Sequence, residues 1–130
     1  MTETETMLAA LPTIDDSAVL AKCIDACDKC ASICSLCATG CLGEDMVAEL
    51  RRCILLDLDC AAICTATAGG AGRQSDPVVT RALLEACIQA CETCADECES
   101  HAEMHEHCRI CAEACRACAA ACRDALSALG

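Results

Sequence analysis

Eighteen cysteines stand in a chain of 130 residues, and their spacing is as informative as their number. The first run, Cys23, Cys27, Cys30, Cys34, Cys37 and Cys41, alternates steps of four and three. That rhythm holds residues on one face of an α-helix. Cys53, Cys60 and Cys64 repeat it, with Asp57 occupying the position between the first two. Cys87, Cys91, Cys94 and Cys98 follow, and then Cys108, Cys111, Cys115, Cys118 and Cys122. Pairs four apart, such as Cys30/Cys34 and Cys118/Cys122, bring their Cβ atoms within about 5–6 Å on a shared helix face. Two such sulfurs can bracket an ion of low coordination number, and soft thiolates select soft Cu(I).

Charge separates the candidate ions. A zinc site of four thiolates leaves excess negative charge, and several such sites in one narrow core would be costly to bury. Cu(I) accepts two or three thiolates and lets them bridge, so each thiol proton lost can be replaced by one positive charge. The arithmetic favours many Cu(I) ions, on the order of the cysteine count. Zinc or iron–sulfur binding and thiol redox chemistry stand as the alternatives. The iron–sulfur run C-x2-C-x2-C-x3-C is absent. Cysteines that succeed one another along one helix face are also poorly placed for disulfides.

Other donors gather near the third and fourth helical segments. His101, His105 and His107 are the only histidines, and neutral imidazole is a further Cu(I) ligand. His101 and His105 continue the stripe from Cys98 to Cys108, whereas His107 is less well placed by periodicity. Asp57 falls where the stripe requires a core residue, as an oxygen ligand or a histidine partner. The alternative is a partly exposed carboxylate on a rotated helix. Met46 and Met104 offer thioether sulfur or ordinary packing.

The elements that must position these groups are helices. Residues 1–14 read as a short acidic lead, loose as far as Pro12, with a weak capping signal at Thr13 and Asp16. A first helix is expected over about 15–42, ended by Gly43. Glu44 and Asp45 suit the start of a second, which carries Met46, Leu50, Cys53, Asp57, Cys60 and Cys64 on one stripe. AGGAGRQSDP (68–77) is the clearest loop, closed by Asp76 as N-cap and Pro77 as first helical residue. The remainder has no Gly or Pro before Gly130. One helix over 77–129 would span roughly 80 Å, so a break near 102–105 is expected, where the cysteine phase slips.

Four matched helices predict an all-α, up-down-up-down four-helix bundle over residues 15–130 with a cysteine-lined core. One end would then gather Cys41, Met46, Cys98, His101, His105, His107 and Cys108. The other would be plugged by Leu20, Leu83, Leu84, Leu126 and Leu129. The pattern describes a closed tube with one mouth.

The net charge of −12 argues against nucleic acid and anionic membrane as partners. The start of the chain carries no secretory signal pattern, and no stretch reads as long and apolar enough to span a bilayer. A reducing cytoplasm is the expected compartment. There is no Phe, Tyr or Trp, so the core is weakly driven and bound ions should stabilise it. No nucleophilic constellation or phosphate-binding loop is present, and an enzyme is not expected.

CIDACDKCASICSLCATGC and CETCADECESHAEMHEHCRICAEACRACAAAC together resemble the cytosolic copper storage proteins, over essentially residues 15–129. The resemblance implies a four-helix bundle that binds many Cu(I) ions inside and assembles as a homotetramer. A copper chaperone or a low-molecular-weight thiol is the expected exchange partner.

Overall fold

The computed structural model describes residues 1–129, and all regular structure among them is helical. Helix α1 spans Glu3–Ala9, α2 Ser17–Leu42, α3 Arg51–Arg73, α4 Pro77–Glu99 and α5 Glu106–Leu129, with a 3-10 turn at Val47–Leu50. Helices α2 to α5 form the four-helix bundle. Each packs on its chain neighbours, and α5 closes back on α2. Short connections make successive helices antiparallel, so the 43–50 and 100–105 turns share one end. Gly130, the last residue of the expected bundle domain, lies outside the described residues.

The cysteine rhythm sets the inward faces. All eighteen cysteines are buried free thiols, none more than 1% exposed. Alanines such as Ala21, Ala38, Ala95, Ala112 and Ala119 fill the spaces between them and let the helices approach closely. Arginine pairs tie neighbouring helices outside: Arg52 to Glu97 across α3 and α4, and Arg116 to Asp96 and Glu99 across α4 and α5. Exposed pairs of this kind each contribute about 0–1 kcal/mol, so the fold rests on the interior.

The expected loose lead is corrected. Thr2 caps α1 by accepting from the Glu5 N–H, and the helix docks on α2 through buried Leu8 and a 2.6 Å hydrogen bond from Thr4 to Asp25. A buried leucine offsets the ordering entropy of a short helix that would not hold alone. Asp16 occupies the N-cap of α2 without a side-chain capping bond, so the Thr13/Asp16 signal is not used. Glu44 and Asp45 lie in the turn before the 3-10 segment and do not begin α3.

The loop expected over 68–77 is also shorter. α3 runs through Gly69, Gly70 and Gly72 to Arg73, and only residues 74–76 connect it to α4. A Cβ on Gly70 would collide with Leu83 Cδ1, so this glycine serves close packing of α4 and does not break the helix. Gln74, at φ 46, makes the left-handed turn, and its N–H returns to Gly70 O. Asp76 caps α4 as expected, accepting from the Val78 N–H at 2.8 Å.

The expectation that no stretch could span a bilayer also needs correction. The 27 residues Val47–Arg73 are long and apolar enough by length and composition. The reason is that their inward face is lined by Cys53, Cys60 and Cys64 with Ala68 and Ala71, while Leu55 and Leu58 lie outward. At the leucine-plugged end, Leu20 and Leu84 are fully buried beside Thr67 and Ala125. Leu83 and Leu126 are only half-buried and Leu129 is 38% exposed, so the plug is smaller than expected.

Candidate metal centre

The thiols form one connected column along the bundle axis. Nearest the mouth, Cys37 and Cys108 lie 3.9 Å apart and share a cluster with Cys41 and His107, whose donor atoms fall within 4.8 Å of one another. Cys37 also faces Cys53, Cys98 and Cys111. Cys111 leads to Cys34 at 3.7 Å, and Cys34 to Cys115 at 3.6 Å. Cys30, Cys60, Cys64 and Cys91 follow as a four-sulfur group. Cys64 reaches Cys87 at 3.8 Å and Cys118 at 3.9 Å. Cys27, Cys87, Cys118 and Cys122 make the innermost foursome, and Cys23 ends the column 3.7 Å from Cys122. Helical spacing supplies the i,i+4 neighbours, such as Cys60/Cys64 at 3.9 Å. Antiparallel packing supplies the cross-helix ones.

Asp57 is fully buried, so its alternative as a partly exposed carboxylate is excluded. Its Oδ1 accepts from Cys94 at 3.1 Å, Cys111 at 3.3 Å and Cys98 at 3.6 Å, and its Oδ2 lies 3.9 Å from Cys53 Sγ. Its surroundings are thiols. Burial, reinforced by Cys111 and Cys94, pushes its pKa up to about 12. The acid therefore holds a proton at neutral pH. Burial likewise pushes Cys41 up to about 11, with Cys37 adding to the rise. Burial of so many thiols opposes bare charge in the column, and a cation that replaces their protons relieves that cost.

The three histidines divide. His101, near the mouth, is half-buried and bonded through Nε2 to Glu97 Oε2 at 2.8 Å. His105 is buried, with Nδ1 3.0 Å from Glu44 Oε2 and Nε2 without a hydrogen-bond partner. His107, the one that periodicity favoured least, is the histidine whose Nδ1 meets the column, 3.5 Å from Cys37 Sγ and 3.6 Å from Cys108 Sγ. The 100–105 turn resets the helical phase, so a stripe drawn through Cys98 does not predict where α5 points. Burial opposes charge on His107, but Cys37 and Glu44 outweigh it and hold its pKa above the usual value. The hydrogen bond from His107, with both imidazoles adding charge, holds Glu44 below the usual carboxylate range. Met46 packs half-buried against the core, whereas Met104 is 66% exposed.

Glu44 was not among the residues singled out from the pattern, where it served only as charge at a helix start. The available signal was its place in the 42–44 turn, at the same end as all three histidines. In donor type the column suits a soft monovalent ion: sulfur throughout, imidazole at one end, a single oxygen acid within.

Comparison with known proteins gives a consistent result. The family model described as "Copper storage protein" matches residues 16–127. The copper storage protein Ccsp from Streptomyces lividans, in a structure loaded with 10 copper equivalents, is 48% identical with a TM-score of 0.91, over 95% of this chain and 98% of that one. A cytosolic copper storage protein from Streptomyces lividans carrying five coppers is 52% identical with a TM-score of 0.85, over 87% and 96%. The Cu(I)-bound copper storage protein BsCsp3 is 39% identical with a TM-score of 0.70, over 78% and 92%. No curated protein matches the chain.

Proposed function

The chain belongs to the copper storage protein family, and from that premise we propose that it sequesters many Cu(I) ions along its thiol column, in the cytoplasm and without catalytic turnover. The observation that carries this reading is the run of buried sulfurs from Cys111 to Cys23, with contacts of 3.6–3.9 Å inside overlapping foursomes whose donors lie within 4.8 Å of one another. A store needs donors in number, and here almost every inward position is one.

Cu(I) arrives bound to a low-molecular-weight thiol or a copper chaperone and is passed to the cluster of Cys37, Cys41, Cys108 and His107. Each transfer breaks a copper–sulfur bond to the carrier, forms one to a column sulfur and passes the displaced thiol proton to the departing carrier thiolate, so the core stays near neutral. Movement inward is thiolate exchange between neighbours, each within reach of the next. Asp57 receives ions in the layer of Cys53, Cys94, Cys98 and Cys111, giving up its own proton as charge enters. Release requires a stronger competing ligand at the mouth. Leu36 and Leu55, both 65% exposed, and Leu58, 49% exposed, support a homotetramer in which other copies cover the outer faces of α2 and α3.

The test is an anaerobic Cu(I) titration of fully reduced protein against a competing chelator, with metal counted per chain. The expected uptake is about one ion per cysteine, as two- and three-coordinate bridging allows. Saturation near four or five ions would match four thiolates per zinc and overturn the storage reading. Light scattering on the same samples reads the oligomer.

A further inference from the structure

We propose that Gly40 and Glu44, one turn apart at the end of α2, are positioning residues that seat the His107 ring with its Nδ1 lone pair directed at Cys37 and Cys108. The proposal deepens the storage reading and rests on it for the direction of copper flow. Two independent observations carry it. A Cβ on Gly40 would stand 3.0 Å from His107 Cδ2 and Cγ and 3.1 Å from Nδ1. A side chain at position 40 would press on the ring and push it a few tenths of an ångström away from the α2 backbone. On the ring's far side, Glu44 Oε2 lies 2.9 Å from Nε2.

An ionised carboxylate only accepts, so Nε2 must carry the hydrogen of a neutral His107. Nδ1 is then the bare nitrogen, 3.5 Å from Cys37 Sγ. Partners beyond the donor shell commonly fix the tautomer of a ligating imidazole in this way. The same Oε2 lies 3.0 Å from His105 Nδ1. Glu44 thus also assigns the His105 hydrogen to Nδ1 and leaves a buried lone pair on Nε2. His105 and His107 stack at 5.5 Å between ring centroids, so one carboxylate orders both rings. Gly40 fixes depth and Glu44 fixes the tautomer.

The experiment uses reduced, metal-free full-length protein and three variants, Gly40→Ala, Glu44→Ala and Glu44→Gln. Long-range 15N–1H NMR on the imidazoles reads the tautomer. Stopped-flow mixing with a Cu(I)–glutathione complex reads uptake of the first ion, and the final copper count is taken on the same samples. Glu44→Ala should shift His107 toward the Nδ1–H form and slow first-ion uptake about 10-fold, the usual scale for such partners. Glu44→Gln keeps an acceptor oxygen and should restore the tautomer. Gly40→Ala should slow uptake while leaving thermal stability equal or raised, because alanine favours a helix interior. Total copper should be unchanged throughout. Adding Glu44→Ala to His107→Ala should slow uptake no further. An unchanged tautomer in Glu44→Ala, or a full extra effect in the His107→Ala background, would overturn the assignment. A low copper count in the unaltered protein would instead overturn the storage reading, leaving the tautomer result to judge the seat.

Discussion

Cys94 Sγ donates to Asp57 Oδ1 across 3.1 Å, at a point where neither residue has exposed surface. Helices α3 and α4 are thereby joined through a carboxylic acid that keeps its proton, surrounded by thiols. The pairing makes the metal-free protein sensitive to pH in a direction that can be worked out.

Burial among thiols raises the Asp57 pKa from its ordinary 3.8 to about 12 in the folded chain. Folding therefore takes up a proton at neutral pH. Its contribution to stability is complete below about pH 4 and declines as pH rises toward 12, by about 1.4 kcal/mol per unit. Urea unfolding of the reduced apo protein between pH 5 and 7 should show this loss. Asp57→Asn, neutral in both states, should flatten the slope. Parallel slopes in the two proteins would mean that the folded acid is ionised.

Copper should stabilise what the thiols alone hold weakly. A ligand present at a thousand times its dissociation constant adds about 4 kcal/mol per site. At this chain length that raises the thermal midpoint by about 10 °C or more. Calorimetry before and after loading measures the rise, and a strong Cu(I) chelator should reverse it. A midpoint indifferent to copper would place the ions outside the folded core.

The plugged end should carry stability without carrying metal. Leu84 is fully buried there, and Leu84→Ala removes a large side chain from a core with no aromatic residue to fill the space. The expected loss is about 2–5 kcal/mol by denaturant titration. Copper capacity per folded chain should not change.

The α4 cap offers a smaller, cleaner perturbation. Asp76 accepts the Val78 N–H at 2.8 Å, and Asp76→Ala should cost about 1 kcal/mol. The mouth lies at the other end of α4, so first-ion uptake should keep its rate.

What the sequence by itself determined is the part that depends on local periodicity. Steps of three and four between cysteines specify helices and their inward faces before any packing is known, because a helix presents the same face every 3.6 residues. The break near 102–105 and the meeting of all three histidines at one end follow from the same counting. Tertiary structure decided what periodicity cannot carry. A short helix at Glu3–Ala9 is held by docking Leu8 on α2. Glycines 69, 70 and 72 read as loop residues until Leu83 is seen lying against Gly70. His107, and not the better-phased His101, reaches the thiols because the turn before α5 resets the phase and Gly40 leaves room for its ring. Contacts between residues 40 and 107, or 57 and 94, are made by whole helices brought together, and no local pattern along one helix encodes which side chain its neighbour will offer.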